Sequence, residues 1–144
     1  MSYLSVLLLL LMTHSTWMTD FEKGKSEAVA SKKLIVLNFS GSDWCGPCIR
    51  LKREIFESDA FEKFSSDNLV LVNADFPRYK KNELSKEQVK ENEALAEKYN
   101  SSGKFPFTVL LDPDGKVLKQ WDGFPNETPE KFVDEIKTFE HAGN

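Results

Sequence analysis

Cysteine is scarce in this chain, with two in 144 residues. A scaffold stapled by several disulfides is therefore excluded. Histidine is equally scarce: His14 and His141 stand near opposite ends, so the three or four nitrogen and sulfur ligands of a zinc centre are not at hand. No apolar run approaches the ~20 residues that a membrane-spanning helix needs. There is no basic cluster with interleaved aromatics, and the net charge is −4, from nineteen basic and twenty-three acidic side chains. That balance speaks against nucleic acid as a partner. Internal repeats are missing, as are low-complexity tracts beyond the first few residues. What remains is ordinary for one soluble domain, 40% hydrophobic and 29% charged, expected to be a monomer.

The two cysteines are close together, in Trp44-Cys45-Gly46-Pro47-Cys48. The pair lies where an extended apolar run gives way to a charged, helical pattern. On the first turn of a helix, residues three apart have Cβ atoms roughly 5–6 Å from each other, so Cys45 and Cys48 reach disulfide geometry with small adjustments. A ring this small removes little entropy from the unfolded chain. Stapling is thus a poor reason for the pair, and reversible redox chemistry a good one. At the helix N-terminus, unpaired N–H groups and the macrodipole favour a thiolate at Cys45, making it the attacking sulfur. Cys48, one turn further in, is expected to be shielded and to act as the resolving thiol. Pro47 suits a first helical turn, where a missing N–H costs nothing.

Those five residues, with the apolar run Leu34–Phe39 before them and Lys104-Phe105-Pro106-Phe107-Thr108 far downstream, resemble the thioredoxin superfamily. The longer string Phe39 to Cys48 is similar to bacterial, exported thioredoxin-like proteins. The resemblance covers Trp17 to the C-terminus. It implies an α/β thioredoxin fold, a central mixed sheet with helices on both faces, and a thiol–disulfide oxidoreductase acting on protein disulfides. It further implies that Pro106 is a cis-proline facing the cysteines, and that Trp44, Gly46, Pro47 and Phe105 contact substrate. No cofactor is expected beyond the redox-active pair itself. An outside electron donor or acceptor is needed for cycling.

Taken in order, Leu4–Met12 is the right length for a signal-peptide core, although no Lys or Arg precedes it and no small-x-small site follows. Residues 1–16 are read as an export leader, cleaved or kept as an anchor, and 17–144 as the domain. Export would place the protein in the periplasm or otherwise outside the cytoplasm; the alternative is a buried or frayed N-terminal helix on a cytoplasmic protein. Thr19 and Glu22 form a capping-box pattern opening a helix to about Ala30, with Phe21, Ala28 and Val29 inward. Leu34–Phe39 reads as a central strand. From Cys45 a helix is expected to reach Phe56, with Ile49, Leu51, Ile55 and Phe56 on its apolar side. Asp59 and Glu62 then suggest a second cap, and Leu69–Ala74 another buried strand.

Residues 76–93 are rich in Lys and Glu and read as an insertion, either a recognition or lid element beside the site or a solvated loop and helix. Ser85 would cap a helix to Tyr99 with Val89, Leu95, Ala96 and Tyr99 inward. Asp112-Pro113-Asp114-Gly115 is a turn joining two strands. Thr128-Pro129-Glu130 starts a last helix, with Phe132, Val133, Ile136 and Phe139 as its buried stripe.

One departure from the family pattern concerns the proton. Where thioredoxins commonly carry a buried acid, this chain has Asn38-Phe39, and Asn38 cannot act as a base. Asp43 is the nearest acid and the candidate for proton transfer. Gly46-Pro47 between the cysteines resembles reducing members, so reduction of disulfides is favoured over oxidation or isomerisation. The alternative of another class is a dithiol module for a soft metal such as Cu(I), against which the lack of Met or His near the pair weighs.

Overall fold

The computed structural model describes residues 14–140. Residues 1–13 of the expected leader, and His141, lie outside them. The described chain runs β1 (Trp17–Met18), α1 (Phe21–Ser31), β2 (Leu34–Ser40), α2 (Gly46–Leu51) continuing through a π-helical turn (Lys52–Phe56), α3 (Asp59–Asn68), β3 (Leu69–Asp75), a short 3-10 turn (Lys80–Asn82), α4 (Lys86–Tyr99), β4 (Phe107–Leu111), β5 (Val117–Asp122) and α5 (Pro129–Glu140). The strands form one sheet in the order β1-β3-β2-β4-β5. β1 and β2 lie parallel to β3, whereas β4 is antiparallel to both β2 and β5.

Because side chains alternate across a strand, β2 serves two cores at once. Ile35, Leu37 and Phe39 pack with Phe21, Ala28 and Tyr99 under α1 and α4. Val36, on the opposite face, joins Leu51, Ile55, Phe61, Phe132 and Ile136 beneath α2, α3 and α5. The same alternation puts Asn38 and Ser40 on the second face, the side on which the cysteine-bearing helix lies. Both are buried, so the polar groups of β2 are committed to the interior near its C-terminal end.

The expected strands and helices are present, and several details differ for physical reasons. α1 is capped by Asp20, whose Oδ1 accepts the Lys23 N–H, not by Thr19. Trp17–Met18 pairs with β3 as an edge strand too short to show a period of two, and this delays the helix start by a residue. α3 is capped by Ser58, whose Oγ accepts the Phe61 N–H; Asp59 and Glu62 occupy the first turn, where their charges suit the macrodipole. Val29 is exposed because the inward stripe of α1 is Phe21, Gly24 and Ala28. On α4, Val89 is exposed as well. Gln88 takes the inward position, donating to the Thr19 carbonyl and to Asn92 Oδ1. Ile49, expected on the apolar side of the helix, is 45% exposed.

Candidate active site

Three segments converge at one end of the sheet, and the register explains why. Ser40, the last residue of β2, is paired with Asp75, the last of β3. Phe39 is paired with Phe107, the first residue of antiparallel β4. The loop after β2, the loop after β3 and the Phe105–Pro106 segment before β4 therefore emerge side by side. In α/β sheets this is where ligands are usually met.

Cys45 is the N-cap of α2, and Cys48 lies in its first turn. The two are joined as a disulfide with a Cα–Cα distance of 5.2 Å. Cys45 Sγ accepts the Cys48 backbone N–H at 3.2 Å, and Cys48 Sγ accepts the Gly41 N–H at 3.5 Å. Cys48 is shielded as expected, at 4% exposed, and Cys45 is shielded equally, at 5%. What separates the sulfurs is their surroundings. Cys45 holds the helix N-terminus, whereas Cys48 lines a cleft of about 320 Å³ with Asn38, Ser40, Ser42, Lys52 and Asn73 on its polar side.

On the strands at the back of that cleft, neutral groups stand where the family commonly carries an acid. Asn38 Nδ2 donates to Asn73 Oδ1 at 3.0 Å, and Thr108 Oγ1 donates to Asn38 Oδ1 at 3.1 Å. Asn38 and Asn73 are register partners on β2 and β3. The Asn38 amide is thus engaged at both ends by uncharged partners.

Asp43, the candidate for proton transfer, is engaged by the loop after β3. Its carboxylate accepts the N–H groups of Arg78 and Tyr79, each at 2.9 Å, and Asn82 Nδ2 at 3.0 Å. Partial desolvation raises its pKa, but the hydrogen bonds from Arg78, Asn82 and Tyr79 outweigh it and hold the carboxyl below its ordinary value. A carboxylate held in this way is a weaker base. The loop after β3 is tied down at further points. Asp75 accepts Ser42 N–H at 2.9 Å and Ser42 Oγ–H at 2.5 Å. Trp44 Nε1 donates to the Phe76 carbonyl at 2.7 Å. The Arg78 guanidinium lies 3.6 Å from the centroid of the Trp44 ring, a stacking that contributes ~0.5–1 kcal/mol at exposed sites.

Asp43→Asn is expected to leave the pH–rate profile unchanged around and above neutral pH. Its depressed pKa makes the carboxylate's contribution present above the unfolded-state value and lost as pH falls through the folded one. Acid, or the substitution, should thus lower the protection of the Arg78 and Tyr79 amides, measured as exchange relative to the intrinsic rate at the same pH. A shifted pH–rate profile would return Asp43 to the role of proton acceptor.

The Phe105–Pro106 peptide is cis. Phe105 precedes the first paired residue of β4 and meets Trp44 edge-on, with ring centroids 5.5 Å apart. Phe76 also meets Phe105 edge-on, with ring centroids 5.3 Å apart. Pro106 is anchored through its carbonyl, which accepts the Gly123 N–H at 2.9 Å. Gly46 and Pro47, expected to meet substrate, are exposed on the first turn of α2. Sequence reasoning missed the grip of Asp43 and Asp75 on the following loop, the Asn38–Asn73–Thr108 cluster and the Gly41 N–H. Only the placing of Asn38 and Asn73 near the ends of two buried runs hinted at any of them.

A mixed sheet of this order, a cysteine pair at the start of a helix and a cis-proline opening the neighbouring strand define a thioredoxin-fold dithiol protein. Residues 16–113 match the family model described as thioredoxin-like, and the chain belongs to that family. It is 37% identical over 106 residues to the disulfide bond reductase DsbH of Chlamydia pneumoniae, covering 74% of this chain and 61% of that protein. With the thioredoxin-related protein DsbJ of the same organism it shares 27% identity over 120 residues, 83% of this chain and 34% of that one. The chain thus spans less than two-thirds of the length of these curated relatives. A solved DsbH oxidoreductase superposes with a TM-score of 0.78 at 31% identity, covering 87% of this chain and 83% of that structure. A thioredoxin from Thermus thermophilus superposes at 0.67 with 15% identity, covering 92% of each, and shares the fold.

Proposed function

We propose that the protein is a thiol–disulfide oxidoreductase that reduces disulfides of protein substrates. The observation carrying this reading is the Cys45–Cys48 pair at the N-terminus of α2, with the Cys48 N–H directed at Cys45 Sγ. In the reduced protein that donor and the helix terminus stabilise a thiolate at Cys45. The thiolate attacks a target disulfide, forming a Cys45–target bond and releasing one target sulfur, which takes up a proton. Cys48, losing its proton to water in the cleft, attacks the Cys45 sulfur and releases the second target thiol. Two electrons pass from the pair to the target, and a dithiol donor restores the reduced pair.

Trp44, Phe105 and Pro106 form the contact surface for the target, and the unpaired stretch before β4 offers main-chain groups to an extended peptide. The reductive direction is supported by the Gly46-Pro47 pattern and by the name of the 37% identical relative. The Leu4–Met12 run supports work outside the cytoplasm. No helix among the described residues is long and apolar enough to cross a membrane.

Turnover tests the reading. With dithiothreitol as donor, the protein should reduce insulin faster than dithiothreitol alone, and Cys45→Ser should fall to that background. A Cys45→Ser protein as active as the wild type would overturn it.

A further inference from the structure

The loop from Phe76 to Asn82 carries Arg78, Lys80 and Lys81 and no acid, on a chain whose net charge is −4. The neighbouring carboxylates of Asp43 and Asp75 are taken up by backbone and side-chain donors. Glu83 is the first acid after it. Other cations near this end of the sheet are neutralised: Arg50 pairs with Glu54 at 2.6 Å and Lys104 with Asp122 at 2.7 Å. Among the described residues, no carboxylate comes within 4.0 Å of the charged groups of Arg78, Lys80 or Lys81.

This loop is also an arm against the redox pair. Arg78 covers the ring of Trp44, the residue before Cys45. Tyr79 beside it is 55% exposed, one of the few large side chains left outside. A connection between β3 and α4 has no need to be fastened at Asp43, Ser42 and Trp44. Fastened so, it presents its cations in a fixed place, and a rigid surface loses little entropy when a partner docks.

We propose that this arm is a docking rim for acidic segments flanking the target disulfide, a refinement that rests on the oxidoreductase reading. Main-chain pairing beside Pro106 accepts any extended peptide, whereas the rim selects among them by charge. Attraction of this kind acts mainly on encounter and is screened by salt.

The test uses two disulfide-bonded peptides identical except for the residues flanking the target cysteine, two Glu in one and two Lys in the other. The wild type should reduce the acidic peptide with a kcat/KM ~3- to 10-fold higher at low ionic strength. The ratio should approach one at ~1 M salt, where the screening length is ~3 Å. The double variant Lys80→Glu/Lys81→Glu should invert it. Each protein supplies its own reference, since partial unfolding lowers both rates together. A ratio of one in the wild type, or one untouched by salt and by the double variant, overturns the docking rim while the oxidoreductase reading stands. Reduction of neither peptide overturns both.

Discussion

Cys48→Ser should accumulate a covalent adduct with a disulfide substrate, approaching one target per protein, while Cys45→Ser accumulates none. The asymmetry follows from the chemistry of the first turn of α2. Cys45 Sγ receives the Cys48 N–H at the helix N-terminus, which stabilises the thiolate before attack. Once the mixed disulfide has formed, only a sulfur at position 48 is within bonding reach, as the Cα–Cα distance of 5.2 Å shows. A serine oxygen there cannot release the target, so turnover stops with the substrate attached. Both variants should lose insulin reduction down to the rate of the donor alone. Mass spectrometry of the unreduced mixture reads the adduct. Adduct on Cys45→Ser instead of Cys48→Ser would exchange the two roles. The near-equal burial of the two cysteines means that this experiment, and not residue accessibility, distinguishes them.

Gly41→Ala is the second substitution with a large expected effect. A Cβ at Gly41 would lie inside the van der Waals envelope of the Trp44 ring, against Cε2 and Cζ2, and 2.7 Å from Nε1. The ring is a poor candidate for moving aside. It is held by Nε1 on the Phe76 carbonyl, by Arg78 over its face and by Phe105 at its edge. Overpacking of this kind costs ~1–3 kcal/mol, and here it also tilts the Gly41 N–H that Cys48 Sγ accepts. The variant should lose that much stability in denaturant titration and change its tryptophan fluorescence. Gly46→Ala is the control: nothing lies within 4 Å of its Cβ position, so stability should stay within ~0.5 kcal/mol of the wild type. Equal stability of the two variants would show that Trp44 is not fixed where the structure has it.

The strands were legible in the sequence because β2, β3 and β4 are apolar on both faces, and the helices because their inward stripes are regular. The cysteine pair announced itself by spacing and by the proline between. Less was legible where one element borrowed from another. The N-caps fall at Asp20 and Ser58, not at Thr19 and Asp59, because a two-residue edge strand precedes one helix and a π-helical turn the other. Val29 and Val89 look inward by composition but fall outside the stripes that Gly24 and Asn92 complete. At the site, Asp43 reads as a stray acid until Arg78, thirty-five positions on, is folded against it. Asn38 reads as a missing base until its amide is seen to bond Asn73 and Thr108. These couplings depend on sheet register, and one-dimensional spacing does not carry register between distant strands.

The proton route is the chemical consequence. With a neutral amide pair where the family commonly carries a carboxylate, the proposed mechanism hands the proton of the second cysteine to water entering the cleft beside it. The same neutrality bears on redox poise, since a negative charge behind the pair would oppose the dithiolate form.

The reduction potential of the Cys45–Cys48 pair tests the central claim most directly. The measurement equilibrates the protein against dithiothreitol or glutathione and follows tryptophan fluorescence. A value near or below about −250 mV, close to that of reducing thioredoxins, is the result expected of a reductase fed by a dithiol donor. A value above about −150 mV would make the protein an oxidant of its targets and contradict the account.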